Sequence, residues 1–165
     1  MSNVDLQKTQ KVIAGPYTLF DGSIKAEYLQ DDDLDATFLI RMTITGGHAL
    51  IDKRKSHPIS PPLHLHFDQA ETFKVLQGKW GVTAGYEQRD IILMPEDEAF
   101  TIPTWLPHTP WPVPTEEDSI ILAWGHPKGV LKPMDVPFFE QIFLYIGECF
   151  EEKKNPDLLQ MMLSQ

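Results

Sequence analysis

HLHFDQAETFKVLQG, residues 64–78, places two histidines on alternate positions, a glutamate five residues after the second, and a glycine seven beyond that. Side chains of a β-strand alternate between its two faces, so in an extended LHLHF (63–67) His64 and His66 share one face, about 7 Å apart. If the next strand, ETFKVLQ (71–77), keeps its phase, Glu71, Phe73 and Val75 join that face. One histidine on a strand reads most simply as an exposed or hydrogen-bonded polar residue. Two histidines and a carboxylate together read as donors for a divalent transition metal.

Outward from this stretch the chain keeps the same rhythm. PYTLF (16–20), SIKAEYL (23–29) and ATFLIRMTIT (36–45) precede it, punctuated by Asp21-Gly22, Asp31-Asp32-Asp33 and Gly46-Gly47. WGVTAGY (80–86), DIILMP (90–95) and SIILAWG (119–125) follow it. Gly78-Lys79 makes a tight connection, and TWLPHTPWPVP (104–114) is a Pro- and Trp-rich bend. Roughly nine or ten strands with short links and no helix over 16–125 predict an all-β, antiparallel sandwich or barrel. The segment Asp52–Pro62, with Pro58, Pro61 and Pro62, is expected to be neither a central strand nor a helix.

After Pro137 the period changes. FFEQIFLYIGECFEEKK (138–154) spaces its apolar residues as a helix does, with Asp135 as N-cap and Pro137 near the first turn. Asn155-Pro156 stops it, and PDLLQMMLSQ is expected to form a second short helix. The division expected is an N-terminal arm or edge strand at 1–15, a β-domain at 16–130 and a C-terminal helical extension at 131–165.

Composition excludes several functions. A formal net charge of −10 argues against nucleic acid and against an anionic membrane surface, and Lys53-Arg54-Lys55 is too short a basic run to reverse it. No run of about 18 apolar residues spans a bilayer. The single cysteine, Cys149, permits neither an intrachain disulfide nor a thiolate metal site. The start, MSNVDLQKTQKV, shows no apolar signal core, so a reducing, cytoplasmic setting is expected.

A fourth donor lies in IPTWLPH (102–108), where His108 follows Pro103 and Pro107 in a stiff, extended bend. Here the residues resemble the cupin superfamily. Its first motif is matched by His64-x-His66-x4-Glu71-x6-Gly78, with Pro58 at the place of a leading glycine. Its second is matched by Asp97-x5-Pro103-x-Trp105-x2-His108-x3-Pro112, where Asp97 and Trp105 replace glycines and Pro112 an asparagine. Asp97 can take a left-handed turn; Trp105 is the larger departure, altering the loop beside His108. The flanking strands and C-terminal helices are similar to small fungal cupins of secondary metabolism.

The resemblance implies a cupin-type, jelly-roll-like antiparallel β-barrel holding one metal at one end through His64, His66, Glu71 and His108, which would also be its catalytic residues. Fe(II) is the first candidate ion, with Mn(II), Ni(II), Co(II) or Zn(II) as alternatives. Four protein ligands on an octahedral ion leave two positions open. One carboxylate against a divalent ion leaves the site net positive, which suits an enolate, phenolate or carboxylate substrate. Phe73, Val75, Trp80, Trp105 and Trp124 are candidate pocket residues, with Trp111 a further aromatic; they would suit a hydrophobic or aromatic, polyketide-like molecule. His48 and His126 are candidates for acid–base groups near the metal, and His57, in the Pro-rich loop, for a lid residue. Three functions follow: a mononuclear oxygenase, a non-redox isomerase, cyclase or lyase, and a non-catalytic binding protein. A homodimer is expected from the family and from the apolar C-terminal helix.

Overall fold

The computed structural model describes residues 10–157. Nine strands stand among them: β1 Lys11–Leu19, β2 Ile24–Gln30, β3 Phe38–Ile44, β4 Ala70–Gln77, β5 Trp80–Ala84, β6 Arg89–Leu93, β7 Phe100–Ile102, β8 His108–Pro112 and β9 Ser119–His126. They form a six-stranded sheet, order β1-β2-β3-β9-β4-β7, and a three-stranded sheet, order β6-β5-β8. The paired strands are antiparallel throughout.

Alternation decides which side chains lie between the sheets. Phe73 and Val75 of β4, Trp80, Val82 and Ala84 of β5, and Ile40, Met42 and Ile44 of β3 belong to one buried cluster. The opposite parity of the large sheet, Leu29, Leu39, Leu122 and Trp124, forms a second, separate cluster on its outer face.

Helix α1, Val136–Glu151, supplies further cover. The Asp135 side chain accepts from the Phe138 N–H at 2.9 Å and satisfies one amide the helix leaves unpaired. Pro137 lies in the first turn, where its missing N–H costs nothing. The apolar stripe then packs inward: the Phe139 ring sits 4.3 Å from that of Phe38, and Phe150 meets Phe20 edge-on at 5.6 Å. No described helix is long and apolar enough to cross a membrane.

The structure departs from the sequence-based expectation at three places. LHLHF is not a strand: its only ladder contact is an isolated bridge between His64 and His108. The sheets therefore remain two facing layers, jelly-roll-like, and do not close into a continuous barrel. The reason lies upstream, where Pro58, Pro61 and Pro62 remove the N–H donors a closing strand needs. A 3-10 helix at Ile51–Ser56 occupies the start of the segment expected to be free of helix. The bend 104–114 contains β8, which tolerates Pro110 because it is an edge strand of its sheet. Of the second C-terminal helix expected over 156–165, residues 158–165 lie outside the described residues.

Candidate functional site

His64, His66, Glu71 and His108 come together at one end of the sandwich. One donor atom from each lies within 4.8 Å of every other. Glu71 is the second residue of β4, paired to Gly125 of β9 and Ile102 of β7. His108 opens β8, facing Ala84 of β5. The reciprocal backbone bonds His64 N–H to His108 O (3.1 Å) and His108 N–H to His64 O (2.8 Å) pin the histidine loop to β8. Trp105 N–H donates to His66 O at 2.8 Å. Because 63–67 is irregular, the His64 and His66 rings are 4.9 Å apart, closer than about 7 Å along a strand. His108 lies 4.4 Å and 5.1 Å from them, ring to ring.

Hydrogen bonds fix the tautomers. His64 Nδ1 lies 2.9 Å from Pro62 O, and His108 Nδ1 lies 3.0 Å from Leu106 O. A carbonyl only accepts, so both Nδ1 atoms carry the proton and both neutral rings present a lone pair on Nε2. His108 Nε2 nevertheless lies 3.1 Å from Glu71 Oε2, which as a carboxylate also only accepts. His66 Nε2 is buried without a hydrogen-bond partner, 3.7 Å from the same oxygen. Several acceptors turned on one another in a buried place demand positive charge between them. One proton would serve one pair; a cation serves all four.

The electrostatics agree. Burial pushes the Glu71 carboxyl up, but the closeness of His108 (3.1 Å) and His66 (3.7 Å) outweighs it and holds the carboxyl well below the usual carboxylate range. Burial first, then the neighbouring His108 and His66, lower His64 to about 4, so its ring is neutral and able to donate a lone pair. Metal ligands of these types must be in those states. Glu71 and His108 are buried, whereas His64 and His66 are half-buried, so the cluster is most accessible on the His64–His66 side.

The other predicted residues separate. Phe73, buried in the core, lies two residues along β4 from Glu71 and shares its face of the sheet. Val75 and Trp80 are deeper core; Trp80 pairs with Pro112, four residues along β5 from the level of His108, about 13 Å. Trp124 is a correction. It pairs with Thr72 and Leu39, the parity opposite to Glu71, so it belongs to the outer face of the sheet. Trp111 also points outward from its sheet, its indole N–H donating to Thr83 Oγ1 at 3.1 Å. His126 Nε2 bonds Thr72 Oγ1 (2.9 Å) on that outer side. His48 and His57 bond elsewhere, to Asp21 O and Ser23 Oγ.

Trp105 does stand beside the cluster, at φ 67°, the left-handed conformation a glycine would take without strain. Asp97, the other glycine replacement, is not among the residues with positive φ; its Oδ2 accepts from Met94 N–H at 2.8 Å. Phe67 and Tyr86 are aromatic neighbours that the motif reading missed. The Phe67 ring packs against that of Trp105, centroids 4.7 Å apart and tilted by 60°, and Tyr86 O–H donates to Trp105 O at 3.0 Å.

Two facing antiparallel sheets with three histidines and a glutamate gathered at one end are the arrangement that the cupin resemblance implies. In sequence, the chain is similar to fungal proteins named as oxidoreductases. It is 29% identical over 144 residues to the protein named "Probable oxidoreductase virH" of Hypocrea virens, covering 87% of this chain and 63% of that one. It is 36% identical over 106 residues to "Oxidoreductase iacF" of Pestalotiopsis fici, covering 62% and 50%. The chain thus spans between half and two-thirds of the length of these relatives. Similar solved structures include the Schizosaccharomyces pombe Cnp3 cupin domain (TM-score 0.45, 14% identical, 68% of this chain and 65% of that one). KdgF from Halomonas sp. is another (TM-score 0.42, 16% identical, 64% and 82%). No protein-family model matches the chain.

Proposed function

We propose that the protein is a metal-dependent oxidoreductase of cupin type, a mononuclear oxygenase acting on a small hydrophobic or aromatic metabolite. The observation that carries the metal reading is the buried conflict of acceptors: Nε2 lone pairs and an ionised Glu71 turned on one point. The names of the fungal relatives support oxidoreductase chemistry.

His64, His66, Glu71 and His108 would hold the ion, and Fe(II) suits three imidazoles and one carboxylate. A bound Fe(II) supplies Lewis acidity and one-electron redox chemistry. The chain's own residues do the rest. Pro62 O and Leu106 O hold the His64 and His108 rings in the donating tautomer. Glu71 contributes one negative charge, so the site remains net positive toward an anionic substrate oxygen. Phe73, buried on the same face of β4, would present an apolar ring on the inner side. We further take the chain to work as a cytoplasmic homodimer, which light scattering on the purified protein tests.

Elemental analysis of protein purified without added metal should find about one transition metal per chain, and none in His66→Ala. A metal-free wild type would end this reading. Oxygen uptake by the Fe(II) form with phenolic or enolic compounds then tests the reaction class. Anaerobic turnover that persists with Zn(II) would replace the oxygenase by a non-redox isomerase or lyase.

A further inference from the structure

We infer that Phe67 and Trp105 form the substrate-selecting wall of this site, that Tyr86 positions it, and that the substrate is a flat conjugated enol or phenol. The inference rests on the metal reading for the oxygen end of that molecule and on separate observations for its ring.

The first observation is where the site opens. Burial falls from His108 and Glu71 outward to His64 and His66. Immediately beyond His66 come three large aromatic side chains in solvent: Phe67 is 62% exposed, Trp105 59% and Tyr86 75%. Scattered exposed apolar residues are ordinary, but these are joined. Phe67 follows His66 in the chain and its ring meets that of Trp105 at a tilt of 60°.

The second is the backbone of Trp105. A bulky residue at φ 67° sits in a left-handed conformation that brings its Cβ too close to the backbone and that residues other than glycine rarely adopt. Burial does not offset that strain, because most of the side chain is in water. The strain is instead held by hydrogen bonds to the site itself: Trp105 N–H to His66 O, and Tyr86 O–H to Trp105 O. An exposed indole clamped in a strained conformation to the backbone of His66, itself a candidate ligand, contributes little to the core. Its free faces are available to an incoming ring.

The third is charge. A divalent ion with one carboxylate attracts an anionic oxygen, and the adjoining wall offers π faces with few polar contacts. One molecule satisfies both when its acidic oxygen is conjugated to a flat ring system, as in a phenol or a cyclic enol.

The test compares two probes by calorimetry on metal-loaded protein: 3-hydroxy-2-naphthoate, a flat aromatic chelator, and malonate, an aliphatic one. Trp105→Leu and Phe67→Leu should each weaken naphthoate about fivefold to tenfold and malonate less than twofold, with metal content unchanged. Trp105→Phe should recover most of the loss. Tyr86→Phe should weaken naphthoate about twofold to threefold by loosening Trp105. Naphthoate affinity untouched by Trp105→Leu, or both probes weakened equally, overturns the wall. Repeating the naphthoate titration on chelator-treated protein separates the two readings. There the weaker residual binding should still depend on Trp105, and equal affinity of wild type and variant overturns the wall whatever the fate of the metal. If wild type is a dimer that Trp105→Leu turns into a monomer, the patch is an interface between copies and the inference falls.

Discussion

The molecule holds two groups of histidines, one at each end of the sandwich, and their hydrogen bonds are wired in opposite senses. At the cluster end, His64 and His108 give their Nδ1 protons to the backbone carbonyls of Pro62 and Leu106. At the other end, His48 and His57 accept backbone N–H groups on Nδ1, from Leu50 (3.2 Å) and Ile59 (3.0 Å). Their Nε2 atoms therefore carry the protons and reach Asp21 O and Ser23 Oγ across the β1–β2 turn. The second pair is satisfied at both nitrogens. The first is left with lone pairs facing a carboxylate. A two-residue offset to a backbone partner occurs in all four; whether that partner accepts or donates separates candidate ligands from structural clasps.

Exchanging one histidine from each group for alanine should give the largest contrast. His108→Ala should abolish metal uptake, as measured by elemental analysis. His57→Ala should leave about one metal per chain but lower stability by roughly 2–4 kcal/mol, since it strips a fully buried ring and orphans the Ile59 N–H. Urea unfolding reads the second effect. Loss of metal in His57→Ala while the protein remains folded would erase the distinction.

How much of this was readable in the sequence follows from the range of each interaction. The four donors were legible because their spacing is local to two short stretches, and residue type fixes their chemistry. The N-cap at Asp135 and the helix behind it were legible for the same reason. The face of Trp124 was not, because its parity relative to Glu71 is set by pairing β9 with β4, a long-range register. Nor was the failure of LHLHF to form a strand, which depends on whether an N–H-poor proline segment finds a partner. Phe67 and Tyr86 escaped because exposure beside a site is a property of the folded surface. The tautomers needed coordinates for Pro62 O and Leu106 O.

The pH dependence of stability gives a subtler test of the clasp end. Burial, then the charges of His48 and Lys53, lower His57 to about 4, below the ordinary 6.5. Between those values the unfolded chain binds the proton and the folded chain does not. The contribution of His57 is therefore complete above about pH 6.5 and is lost as pH falls toward 4. Urea midpoints of metal-free wild type should drop across that window more steeply than those of His57→Asn. Parallel slopes would mean that His57 does not carry the effect.

The smallest effect belongs to the rim, and its smallness is the point. Removing a buried tryptophan ordinarily costs about 3–5 kcal/mol. Trp105→Gly should change stability by less than about 1 kcal/mol, because two contributions of similar size oppose each other. Glycine adopts φ 67° without the Cβ clash, which stabilises the folded loop. Against this stand the lost Phe67 contact and the greater freedom glycine gives the unfolded chain. The Trp105 N–H and C=O bonds to His66 and Tyr86 are backbone bonds on the Trp105 side and survive the change. Thermal unfolding beside the naphthoate titration decides the matter. A small shift in Tm with most of the naphthoate affinity gone marks a residue held for what it contacts outside the fold. A loss above about 2 kcal/mol would instead make Trp105 part of the scaffold, and its exposed faces an incidental consequence of packing.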